Sequence, residues 1–286
     1  MSEAAVIEFD KVPSATIGYV RALLKRAPGL KRGRDIPRIE AVVNKVRANP
    51  KQLKRYRKLC GFTESSHLPL SYPHILAAPL HLAVLTHESF PLKLLGAVHV
   101  RNKVRQKRAL AVDEIFDIRV SVEGHREVDQ GIEFDLVTRL IDARGAVPWE
   151  SVSTNLVRRG KGKSGSKKWT PPDYSKFREV ASWRAPKNIG IRYGSIAGDL
   201  NPIHVHALPA KLFGFPRAIA HGMWNFARCA SALPSVHKCE LDISFKRPLL
   251  LPGSADLLTH REGKTTELML VDAKRETVYL SGTFKI

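Results

Sequence analysis

The feature that most constrains this chain is a layout that occurs twice. An apolar run long enough for a buried helix, residues 75–85, leads into strand-like segments at 97–104, 114–122, 132–141 and 147–157. A second such run, 223–233, leads into segments at 240–246, 254–262, 265–273 and 277–285. Turn signals such as Glu123-Gly124 and Arg144-Gly145 separate the strands. An apolar helix must bury its surface and a sheet must cover one face. A curved antiparallel sheet wrapped around a central helix does both, so two tandem units account for the repeat better than one irregular domain. The expected fold class is therefore α+β.

Ahead of the first unit, residues 15–25 and 36–59 read as amphipathic helices, separated by the breaker stretch Pro28-Gly29-Leu30-Lys31-Arg32-Gly33 and trimmed by Pro50. Residues 160–173, GKGKSGSKKWTPPD, read as an exposed linker. The expected partition is a basic helical segment 1–62, a first unit 63–159, a basic linker 160–176 and a second unit 177–286.

Charge narrows the partners. Lys plus Arg exceed Asp plus Glu by 47 − 27 = 20, which implies attraction to something acidic. Much of the excess lies before Lys58 and in Arg158, Arg159, Lys161, Lys163, Lys167 and Lys168, either a solvated face and linker or a docking surface for a phosphorylated carrier. Neither zinc-finger spacing nor the aromatic strand of an RNA-binding sheet is present, so nucleic acid is not the expected partner. Cys60, Cys229 and Cys239 share no CxxC spacing, which argues against a disulfide framework and suits a reducing cytoplasm. No signal-peptide plan opens the chain, and no apolar run approaches the roughly 20 residues that cross a bilayer.

The chemistry-bearing segment is residues 192–224, RYGSIAGDLNPIHVHALPAKLFGFPRAIAHGMW. It contains Gly198-Asp199-Leu200-Asn201-Pro202-Ile203-His204, then Gly214-Phe215, then Ile219-Ala220-His221-Gly222-Met223. In content, order and separation these pieces resemble the signature of the MaoC-like (R)-specific enoyl-thioester hydratases. A looser resemblance to two-domain bacterial members covers most of the chain after Pro69. The resemblance implies a double hot-dog fold and the interconversion of trans-2-enoyl and (R)-3-hydroxyacyl thioesters. The carrier is coenzyme A or acyl carrier protein, and no redox cofactor or metal is expected.

The residue types suit that reaction. Hydration needs a group to take a proton from water, one to deliver a proton to the α-carbon, and donors for the thioester oxygen. Asp199 and His204 can supply the first two. On a straight helix their five-residue spacing would hold them about 140° apart, but a residue before proline is pushed toward extended geometry, so Asn201 is expected in a bend that returns His204 toward Asp199. Asp199 is expected to act mainly as base and His204 as donor, with the reverse division open. Asn201 is the expected orienter of the pair. Gly222 opens the second long helix, where a free backbone N–H can serve the thioester oxygen, and the resemblance assigns it the same role.

Tyr193, Ser195, Phe215, His221, Met223 and Trp224 are candidate substrate-binding residues, although packing explains several of them equally well, and His221 reads chiefly as a structural imidazole bonded to nearby backbone. A metal held by Asp199, His204 and His206 is a rival reading of the same segment. The first unit has no copy of the motif. Its helix is expected to begin near Ala77-Ala78-Pro79-Leu80, so this unit is expected to have lost catalysis and to supply pocket wall and a pseudo-dimer interface, in a monomer or a homodimer. His74, His81, His87 and His99 then read as ordinary partly buried histidines. The alternative function is a non-catalytic acyl-CoA or acyl-carrier binding module, or a hot-dog thioesterase, since fold alone does not decide chemistry.

Overall fold

The computed structural model describes residues 5–25, 27–31, 33–94, 96–158 and 172–286. One sheet with the strand order β1-β2-β4-β5-β6-β3-β8-β11-β10-β9-β7 runs through the molecule. Its strands are β1 (Ala5–Phe9), β2 (Ile39–Arg47), β3 (Val98–Gln106), β4 (Ile115–Val128), β5 (Gly131–Ile141), β6 (Trp149–Arg158), β7 (Arg178–Ala185), β8 (Cys239–Phe245), β9 (Gly253–Glu262), β10 (Thr265–Val271) and β11 (Val278–Lys285). The helices are α1 (Ala15–Leu24), α2 (Pro50–Cys60), α3 (Tyr72–Thr86), α4 (Ile189–Ala197), α5 (Ala207–Leu212) and α6 (Gly222–Ala232).

The strand order itself exposes the repeat. Outward from the central seam, β3-β6-β5-β4-β2 matches β8-β11-β10-β9-β7, so each unit consists of a strand, a helix, the long central helix and four further strands. β3 and β8 form the seam, antiparallel, with Val104 opposite Leu241 and Gln106 opposite Cys239. Both central helices belong to one core that includes Leu80 and Val84 of α3 and Phe226 and Cys229 of α6.

This order corrects the expected helical preface. Residues 36–59 are not one helix: β2 pairs antiparallel with β4 and belongs to the first sheet, so the first unit begins before residue 63. Ile39, Val42, Val43 and Val46 are β-branched, which favours a pleated surface. The helix begins only where Asn49 Oδ1 accepts from Lys51 N and Gln52 N, at 3.0 and 3.1 Å, with Pro50 preset for the first turn.

The central helix of the first unit starts at Tyr72, ahead of the expected Ala77, and carries Pro79 in its interior. A helix-interior proline costs about 3 kcal/mol. Burying Ile75, Leu76, Leu80 and Val84 returns about 1.5–3 kcal/mol each, so the sheet holds α3 in place despite the missing hydrogen bond. Among the described residues no helix is long and apolar enough to cross a membrane.

Candidate active site

The site is built on α4 and the segment after it. Gly198 ends α4 in the left-handed conformation, φ 71°. Asn201 is extended, at φ −55° and ψ 122°, as its following proline requires, and Pro202–His204 form a 3₁₀ turn. What lets this segment lie back along α4 is the face of the helix beneath it. A Cβ on Gly190 would sit 1.8 Å from the His204 carbonyl oxygen, and one on Gly194 would sit 2.4 Å from that of Asp199. Any side chain there would displace the backbone that carries both functional groups. Downstream, Ala220 N donates to Leu249 O at 2.8 Å and Ile219 bridges to Leu250, which anchors the entry to α6.

This folding brings Asp199, His204 and His221 together, with one side-chain ligand atom from each within 4.8 Å of the others. His204 Nδ1 donates to the Ile219 carbonyl at 2.8 Å, so its Nε2 carries the lone pair. His221 Nε2 donates to the Asp199 carbonyl at 3.2 Å and lies 3.6 Å from Asp199 Oδ2. The two imidazoles stack, with centroids 3.6 Å apart and planes 25° from parallel. Asp199 Oδ1 accepts from Asn201 N at 3.2 Å and from the hydroxyl of Tyr19, which α1 delivers.

Burial pushes the Asp199 carboxyl up, but the neighbouring imidazoles and the two donors outweigh it and hold the group below the usual carboxylate range. Burial lowers His204, against the pull of Asp199 and of the Ile219 carbonyl, and pushes His221 down to about 3. Near neutral pH the site therefore holds a carboxylate and two neutral imidazoles. Asp199 Oδ2 and His204 Nε2 are then two acceptors in one cluster, which suits a water molecule that donates both its protons.

The expected residues fall into distinct places. Gly222 opens α6 directly after His221, and a Cβ there would meet the Phe245 ring at 3.2 Å. Asn201 acts differently from expectation: its carboxamide accepts from Ile203 N at 3.3 Å and caps the 3₁₀ turn, while its backbone N–H reaches Asp199. Two of the candidate substrate-binding residues have partners of their own. Ser195 is exposed on α4 with its Oγ 3.1 Å from Arg55 Nη2, on a surface groove with Asn49, Lys51 and Gln52. Trp224 is buried and donates from Nε1 to the Leu59 carbonyl at 3.2 Å, tying α6 to α2. Tyr193 is buried with its ring 5.0 Å from that of His221, Met223 is buried in the core, and Phe215 is half-buried. Lys161, Lys163, Lys167 and Lys168 lie outside the described residues.

His206 does not join the cluster; its Nδ1 accepts from Leu208 N at 3.2 Å and caps α5. Asp199, His204 and His221 are close enough for one cation, and His221 Nδ1 is buried without a partner among the described residues while its Nε2 donates to the Asp199 carbonyl. In the first unit His74 lies 4.9 Å from His81 and 6.3 Å from His99, and His99 lies 5.0 Å from Phe245. Burial holds His81 near about 3 and His99 near about 4. These rings therefore reach the border of the site through Phe245. Tyr19 and Phe245 are the residues the sequence reading missed.

Comparison with known proteins agrees with this geometry. Residues 170–246 match the MaoC like domain family. A 3-hydroxyacyl-thioester dehydratase of Mycobacterium tuberculosis is 30% identical over 277 residues, covering 96% of this chain and 98% of that protein. The crystal structure of HtdX from the same organism superposes with a TM-score of 0.75 at 30% identity, over 85% of this chain and 98% of the other. A MaoC-like dehydratase from Phytophthora capsici gives a TM-score of 0.68 at 17% identity, over 87% of this chain and 94% of its own. A mycobacterial protein described as a double hotdog fold gives 0.56 at 11% identity, over 91% and 98%, a likeness of fold alone. With its helix-in-sheet units and its Asp–His segment, this chain belongs to the MaoC-like dehydratase family.

Proposed function

We propose that the protein catalyses the reversible hydration of a trans-2-enoyl thioester to an (R)-3-hydroxyacyl thioester. The observation that carries this reading is that Asp199, His204 and His221 bring one side-chain ligand atom each within 4.8 Å of one another, next to the first residue of α6. The similarity to a 3-hydroxyacyl-thioester dehydratase supports it. In the hydration direction one water donates to both acceptors. His204 Nε2 takes a proton as the water oxygen bonds to the β-carbon, and Asp199 holds the water and steadies the imidazolium. The electron pair of the double bond moves toward the thioester oxygen, which the Gly222 N–H receives, and the imidazolium returns its proton to the α-carbon on the same face. This division is the reverse of the one expected from sequence: the proton on Nδ1 is committed to Ile219, so neutral His204 begins as an acceptor.

The carrier is coenzyme A or an acyl carrier protein, and the net charge of +20 supports an anionic one. The reaction draws on no further cofactor. The three cysteines, buried and unpaired, suit a reducing cytoplasm. The test is to supply a short and a long trans-2-enoyl-CoA and follow loss of enoyl absorbance alongside a thiol-trapping dye. Loss of absorbance with no free thiol and an (R)-configured product supports the reading. Released thiol would instead indicate a thioesterase, and binding without either product a carrier-binding module.

A further inference from the structure

We infer that Tyr19 is a positioning residue of this site, holding the Asp199 carboxylate so that one oxygen is occupied and the other is presented to water; this rests on the hydratase reading above. The phenol comes from α1, 180 positions away in sequence, and donates to Oδ1, the oxygen that also accepts from Asn201 N. Oδ2 is left 3.6 Å from His221 Nε2, in the cluster that includes His204. A carboxylate fixed at one oxygen by two donors cannot swing about its terminal torsion, so the hydrogen bond decides which oxygen meets the water.

α1 is held where this can happen. It packs on α3, and a Cβ on Gly18 would lie 2.9 Å from the Leu82 Cβ. At its start, Ala15 Cβ lies 2.9 Å from where a Cβ on Gly198 would stand, directly before Asp199. The helix thus bridges the central helix of the first unit and the functional loop of the second. The titratable groups that face Asp199 are His221, His204 and Tyr193 from its own unit, His74 of α3 and His99 of β3, besides Tyr19. Burial and the adjacent carboxylate keep the Tyr19 phenol protonated throughout the working range, so it serves as a donor and not as an acid–base group.

The experiment compares wild type with Tyr19→Phe and Gly18→Val, reading kcat, KM, the pH profile and a carbon-13 carboxyl titration of Asp199 assigned with Asp199→Asn. Losing one hydrogen bond to a charged group should lower kcat about tenfold with KM within about twofold, and move both the Asp199 titration and the acid limb of kcat/KM to higher pH. Gly18→Val keeps the phenol but pushes α1 off Leu82, and should reproduce the same pattern in weaker form. A rise in KM alone, or an unchanged titration and profile in Tyr19→Phe, overturns the inference. A wild type with no turnover would instead sink the hydratase reading, while the titration would still report whether Tyr19 holds Asp199.

Discussion

The two units share a strand order and a buried central helix, yet their helices open differently. α6 opens on Gly222, directly after His221, whereas α3 opens on Tyr72-Pro73, where the Tyr72 N–H is spent on the Pro69 carbonyl at 2.9 Å and Pro73 has no N–H to give. The helices ahead of them differ as well. α4 presents Gly190 and Gly194 to the returning segment 199–204, whereas α2, PKQLKRYRKLC, has no glycine and carries cations on its surface. On the proposed mechanism, the same architecture carries a proton-handling site in one half and packing in the other. That mechanism calls for a free amide at a helix start and for a helix smooth enough for the backbone to fold along it.

Three substitutions would break or sharpen that contrast. The largest effect should come from Gly222→Pro, which removes the amide donor at the start of α6, where α3 offers no free N–H on its first two residues. Proline suits the first helical turn, so the fold should survive, while loss of the amide donor should lower kcat by about 10²–10³. A variant that hydrates enoyl thioester at wild-type rate would remove Gly222 from the mechanism. Next is Gly190→Ala, whose new methyl would stand 1.8 Å from the His204 carbonyl. It should destabilise the protein by about 1–3 kcal/mol in denaturant titration, and it should cost more activity than stability because the displaced residue is His204 itself.

The smallest effect concerns pH. His81 and His99 of the first unit, and His221 of the second, have folded pKa values near about 3, 4 and 3, below the roughly 6.5 of an unfolded chain. Between those values the unfolded state binds more protons, so stability should fall as pH drops below about 6.5, by up to about 1.4 kcal/mol per pH unit for each histidine. His81→Gln, which can keep the hydrogen bond to Thr138, should flatten that slope and leave the acid limb of turnover unmoved. Turnover needs neutral His204, whose pKa burial lowers, so activity should persist below the pH at which a free imidazole protonates. If the acid limb instead moves with His81→Gln, the two sets of histidines are coupled and the contrast between the units fails.

Much of this was legible in the sequence because it is local. The two-unit layout rests on periodicity, and the Asp199–His204 segment rests on residue type and spacing, with the bend at Asn201 following from Pro202. β2 was misread because Glu40, Lys45 and Arg47 interrupt its valines, so the pattern also fits a helix; only pairing with β4 decides between the two. Gly190, Gly194 and Gly198 were visible, but their purpose lies in a close approach that only the folded backbone reveals. Tyr19 left no local signal, since its partner is 180 positions distant.

The account stands on Asp199 and His204 acting on one water as a single device, and a double-mutant cycle on enoyl-thioester hydration tests this most directly. Asp199→Asn and His204→Ala should each lower kcat by about 10²–10⁴, and the double variant should lose no more than the worse of the two. Losses that multiply in the double variant, or either single variant at full rate, would contradict it.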